Sequence, residues 1–147
     1  MQYERLIKGN RIKIYNATST EINDLLNIAR RDLRAAARNL EEDPDWAYGM
    51  AYNSVLQACR ALMMSEGYRP RGADQHASVV EFTKERLGSE FSNDVNLFDQ
   101  MRRKRHRVIY ETTGLIGDKE SHQVLEFSKA FVQKIFEIIS KQIPLDI

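Results

Sequence analysis

Arg102, His106 and Tyr110 follow one another at four-residue intervals, so on a helix they line one edge. An imidazole can take or give a proton near neutral pH. A phenol can give a proton or hold a phosphate oxygen, and a guanidinium can stabilise an oxyanion. Around these residues runs Arg102-Arg103-Lys104-Arg105-His106-Arg107, the most unusual stretch of the chain. One reading is a solvated charged face. Geometry limits that reading, because successive helical residues turn by about 100° and such a run points all around the axis. At least one basic side chain must face the core or a partner.

The neighbouring apolar residues single out Arg105. It lies seven after Phe98, four after Met101 and four before Ile109, inside the helix's apolar stripe. A charge there is costly unless it is paired or used at an interface. Two uses fit: a structural salt bridge, with Asp99 or Glu111 as partner, or an arginine that handles an anion with its fixed fork of donors. Arg105 and Tyr110 diverge by about 140° on one helix, so a single helix is not expected to aim both at one phosphate. Two copies related by a two-fold axis could, which predicts a homodimer with Arg105 and Tyr110 in a shared cleft and His106 at its edge. The aromatic pair Tyr48 and Tyr52 adds to that expectation. Arg102, Arg103, Lys104 and Arg107 are expected to make non-specific phosphate contacts.

Helices must position these groups. Thr18 and Glu21 have capping-box spacing at the head of a stripe from Ile22 to Leu40. Asp43-Pro44 reads as an N-cap followed by proline at the first helical position, and Tyr48, Tyr52, Val55, Leu56, Cys59, Leu62 and Met63 share a face up to Gly67. Tyr68 to Gly72 reads as a loop. A short third helix spans Asp74 to Leu87, a fourth Ser92 to Thr112, and Asp118 is placed to cap a fifth that Pro144 ends. Residues 1–17 form an N-terminal arm in which Ile12 and Ile14 alternate with Arg11 and Lys13, a hint of extended chain. Residues 18–147 form one all-α domain, a five-helix up-and-down bundle.

Composition is that of an ordinary globular chain: 147 residues, 42% hydrophobic, 29% charged and a net charge of +1. Any attraction to nucleic acid must therefore come from local clustering. The single cysteine, Cys59, cannot form an internal disulfide, offers no zinc pair and reads as a small core residue. This suits a reducing cytoplasm. No apolar run reaches the ~18 residues of a membrane span, and Met1 to Lys8 carries no apolar leader. His76 and His122 are not spaced as metal ligands, so neither a metal nor a cofactor is expected; His76 reads as a hydrogen bonder at a loop or helix start, His122 as a surface residue.

Two segments resemble the HEPN family: Ala51 to Leu62, followed by Gly67-Tyr68-Arg69-Pro70 and His76, and the stretch Arg105-His106-Arg107-Val108-Ile109-Tyr110. The resemblance covers about Thr18 to Lys141. It implies a five-helix bundle that dimerises, binds RNA or nucleotides and, in active members, cleaves RNA without a metal. The family's ribonuclease motif is Arg, four to six residues, then His. Here the arginine falls on Arg105 and the histidine position on Tyr110, while His106 stands directly beside Arg105. The segment looks like the sub-branch that reads Arg-x-x-x-x-Tyr. That implies a binding or regulatory, toxin–antitoxin-like module ahead of an endoribonuclease, with a structural dimer as the third reading. A small nucleotidyltransferase is the partner the resemblance implies. In the nuclease reading a ribose 2′-hydroxyl attacks the adjacent phosphate, Arg105 stabilises the phosphorane, Tyr110 acts as acid and His106 as base.

Overall fold

The computed structural model describes residues 2–145. Short-range signals set most of its elements. Helix α1 is a brief turn, Glu4–Lys8, and leads into strand β1, Ile12–Ile14. Helix α2, Ser19–Asn39, starts at a complete capping box: Thr18 accepts from the Glu21 amide, and the Glu21 carboxylate accepts from the Thr18 amide. Asp43 accepts from the Trp46 amide ahead of Pro44, which opens α3, Pro44–Ser65. Gly67, at φ +91, turns the chain from α3 into strand β2, Tyr68–Pro70, a left-handed turn that an L side chain would strain. Asp74 caps α4, Gln75–Leu87, and a 3-10 turn at Ser89–Phe91 leads into α5, Ser92–Tyr110. Helix α6 covers Asp118–Ser140.

The bundle is organised around α3, which packs against α2, α4, α5 and α6. Contact on several sides explains why α3 buries far more than one stripe, including Ala47, Gly49, Ala51, Ala58 and Ala61. Small residues let the neighbours come close. At Gly49 a Cβ would stand 2.8 Å from Ile109 Cδ1, so α5 approaches α3 most tightly beside the basic run. Asp45 fixes the connection after α5, accepting from the amides of Gly114 at 2.7 Å and Ile116 at 3.1 Å. Cys59 is fully buried, and burial pushes its thiol up to about 12. Among the described residues no helix is long and apolar enough to cross a membrane.

The sequence reading is corrected at four places. The segment before Thr18 contains helix α1, too short to show periodicity, and it packs on the bundle: Tyr3, Leu6 and Ile12 are buried. Tyr68–Pro70 is a strand, not a loop, because it pairs antiparallel with β1, Ile12 opposite Pro70 and Ile14 opposite Tyr68. Helix α5 ends at Tyr110, two residues before Thr112. Asp118 does not cap α6 with its side chain; it sits in the first turn after Gly117, where its charge suits the positive helix end.

Candidate functional site

The basic run divides into engaged and unengaged cations. Arg102 Nε donates to Asp99 at 2.9 Å and its Nη1 lies 3.7 Å from Asp74. Arg103 meets the other Asp99 oxygen at 2.8 Å, and Lys104 donates to both Glu120 oxygens at 2.9 Å. These three carry the solvated-face reading, since each already has a carboxylate. Arg107 is exposed, and Arg105 is half-buried. Among the described residues neither has a carboxylate within ion-pair distance. The partners expected for a structural Arg105 are occupied: Asp99 by Arg102 and Arg103, and Glu111 by His106 at 3.7 Å.

Arg105 lies instead between two aromatic rings. Its guanidinium carbon is 5.7 Å from the Tyr52 ring centre and 5.9 Å from that of Tyr110. His106 stands next to Tyr110, with ring centres 5.2 Å apart. The structure thus brings Arg105, Tyr110 and His106 together within one chain and leaves Arg102, Arg103 and Lys104 on their acids. Arg105 and Tyr110 therefore approach each other within one chain despite the angle between them on α5, because the arginine side chain is long enough to close the gap.

Arg105 also joins two cavities. One, of about 270 Å³, is lined by Asp32, Trp46, Gly49, Met50, Asn53, Arg105, Ile109 and Tyr110. It is mostly apolar, and its rim carries two exposed aromatics, Trp46 at 50% and Tyr110 at 65%. The other, about 220 Å³, is polar and lies between α3 and the start of α4. Asn53 lines both. A larger cavity of about 440 Å³ beside the start of α3 carries Glu42, Asp43 and Asp45, the wrong sign for a phosphate.

Sequence reasoning missed the α2 and α3 members of this groove. Asp32 is buried, accepting from Arg31 Nε at 3.0 Å and from the Asn53 amide. Gln57 donates to Asn53 at 3.1 Å, and Arg60 donates to Gln57 at 2.9 Å. The signal was present: Asn53, Gln57 and Arg60 recur at helical spacing on α3 and form a polar stripe beside the apolar one. His76, read as a helix-start hydrogen bonder, bonds through Nδ1 to the Tyr52 hydroxyl at 3.0 Å. Burial raises the Tyr52 phenol well above its usual range, so it stays protonated.

With the groove described, comparison with known proteins identifies its setting. The HEPN domain model matches residues 22–141. The chain belongs to the HEPN domain family. No curated protein matches it. Membership supports a nucleotide- or RNA-related module or one of nuclease type, and HEPN domains often dimerise. In this HEPN domain the matched span holds every residue that lines the groove, from Asp32 on α2 to Tyr110 on α5.

His76 gives the site a pH dependence. Burial first, then the Arg105 charge, lower its pKa from the ordinary 6.5, with Arg60 and Arg102 adding to the fall and Asp74 opposing it. The folded protein therefore holds the neutral imidazole more firmly than the unfolded chain does. Above the unfolded value this costs nothing. As pH falls below it, the unfolded chain takes up the proton first, and stability declines until the folded pKa is passed. The melting temperature is expected to drop as pH falls below the ordinary histidine value of 6.5, and His76→Gln should remove this part of the drop. Equal slopes for both proteins would contradict it.

Proposed function

We propose that this HEPN domain is an RNA- or nucleotide-binding module, regulatory or toxin–antitoxin-like in role, that holds a phosphate at Arg105. The observation that carries the reading is the state of Arg105: half-buried, flanked by two rings, joining two cavities and without a carboxylate in ion-pair distance among the described residues. A cation in that position is stabilised by an incoming anion, and the arginine fork fits phosphate in two bonds. The rings of Trp46 and Tyr110 suit stacking of a base, at about 1–3 kcal/mol per base. Arg107, exposed and unpaired, fits a peripheral phosphate contact, whereas Arg102, Arg103 and Lys104 would have to exchange carboxylates for phosphates. The family's frequent dimerisation supports a homodimer as well; a single-chain mass by light scattering at micromolar concentration would count against that.

A second reading, metal-independent endoribonuclease, has the His106–Tyr110 contact in its favour. The 2′-oxygen would bond to phosphorus as His106 takes its proton, and the 5′-oxygen would leave with a proton from Tyr110, giving a cyclic phosphate. The histidine of the ribonuclease motif is absent at its place, so retention without cleavage is the expected result. End-labelled single-stranded RNA incubated with the protein in EDTA should be bound and recovered intact. Cyclic-phosphate products that vanish in Arg105→Met would decide for the nuclease.

A further inference from the structure

The polar cavity beyond Arg105 holds a second cation that does not come from the basic run. Arg60 lines it together with Asn53, Gln57, Gln75 and His76. Arg60 is half-buried, and its one hydrogen bond among the described residues is the donation to Gln57. No carboxylate among those residues lies within ion-pair distance of it. The nearby acids are committed elsewhere, Asp32 to Arg31 and Asn53, Asp74 to the Ala77 amide and Arg102. Burial, and then the like charge of Arg69, lower the Arg60 guanidinium from its ordinary value. Natural chains tolerate a desolvated, mostly unbonded arginine poorly. Here two of them, Arg60 and Arg105, open onto one cavity.

The hydrogen bonds around Arg60 hold it in place. Asn53 donates to Asp32, Gln57 to Asn53 and Arg60 to Gln57, a directed chain anchored on a buried carboxylate. That chain fixes the guanidinium while leaving its other N–H groups free for a ligand. On the opposite wall, the bond between Tyr52 Oη and Nδ1 holds the His76 ring in place. The lining set is two arginines and an imidazole, with the Gln75 amide. Polar, cationic and lined by no acid among the described residues, it matches a phosphoryl group and repels a metal ion.

We propose that this cavity is a phosphate subsite, taking the phosphate next to the one at Arg105. The proposal rests on the reading of Arg105 given above. A ligand would then run from the aromatic rim at Trp46 and Tyr110, past Arg105, to Arg60 and His76. The neighbouring phosphate can belong to an RNA chain or to a nucleoside diphosphate; both present the same oxyanion.

The test uses the full chain, a short fluorescent single-stranded RNA across a salt series, and inorganic pyrophosphate in a calorimeter. Wild type is compared with Arg60→Met, Gln75→Glu and Arg105→Met. Gln75→Glu guards against a folding artefact, because an acid in the first turn of α4 suits the helix end while placing negative charge at the cavity mouth. Arg60→Met is expected to weaken binding about tenfold and to lower the slope of log affinity against log salt by about 0.7, one single-strand phosphate. Gln75→Glu should weaken binding in the same direction. A changed RNA slope without pyrophosphate binding supports the subsite with RNA as the source; pyrophosphate binding lost in both variants supports it with a diphosphate. If Arg105→Met weakens binding while Arg60→Met and Gln75→Glu change neither probe, the subsite is overturned and the reading of Arg105 stands. If wild type binds neither probe, both fall.

Discussion

Arg105→Met should reduce affinity for single-stranded RNA about 10- to 100-fold, because a hydrogen-bonded charge in such a groove contributes about 1.5–3 kcal/mol. The same substitution should leave folding stability within about 1 kcal/mol of wild type, since methionine keeps contact with aromatic rings and removes a desolvated charge. What is lost is the cation–π attraction of the guanidinium for the two rings, at 5.7 and 5.9 Å, each about 0.5–1 kcal/mol where water still reaches. Chemical denaturation beside a binding titration separates the two effects. A structural arginine would behave the other way round: a large loss of stability on truncation, with binding changed only through unfolding. No carboxylate among the described residues depends on Arg105, and that is why function and stability are expected to part here.

Phe82→Ala is expected to destabilise the domain by about 3–5 kcal/mol, a large share of the ~5–15 kcal/mol that holds a domain together. Phe82 is fully buried on α4. Tyr3 stacks on it with ring centres 4.4 Å apart, and Tyr68 lies 6.1 Å away. One side chain thus joins the N-terminal segment, β2 and α4. Tyr3 itself is held at φ +68, a left-handed conformation that is rare for an aromatic residue. Its hydroxyl donates to Glu66 at 2.7 Å, and Glu66 also receives Arg86. Removing Phe82 should therefore release the N-terminal segment as well as open a cavity. Urea denaturation should show the loss, and hydrogen exchange should quicken at Tyr15 and Arg71, whose amides donate across the chain to the Gly67 and Arg11 carbonyls. A loss below about 1 kcal/mol would mean that the segment is not anchored through this ring.

The parts of the fold that were legible in the sequence are those written in short-range chemistry. The Thr18–Glu21 capping box, Asp43-Pro44 and Gly67 each act over one turn, and each stands where its spacing placed it. Strand β2 was illegible for the converse reason: its partner, β1, lies far earlier in the chain, Ile12 opposite Pro70, and three residues carry no period of their own. The depth of Arg105 could be read from its place in the stripe. Its lack of a partner could not, because that depends on Asp99 and Glu111 being taken by Arg102, Arg103 and His106. Asp32, Asn53, Gln57 and Arg60 look like solvent-facing polar residues when α2 and α3 are read singly. They become a site only when the helices meet, and a single sequence shows no such meeting.

Trp46 is the chain's one tryptophan, half exposed on the rim of the apolar cavity that Arg105 closes. Its fluorescence during titration with a short single-stranded RNA reports directly on whether the ligand enters that groove. A saturable, salt-dependent change in wild type, greatly weakened in Arg105→Met and matched by RNA binding measured independently, is the result predicted. RNA bound with Trp46 undisturbed, and with equal affinity in Arg105→Met, would place the ligand elsewhere on the surface and contradict the assignment of the groove.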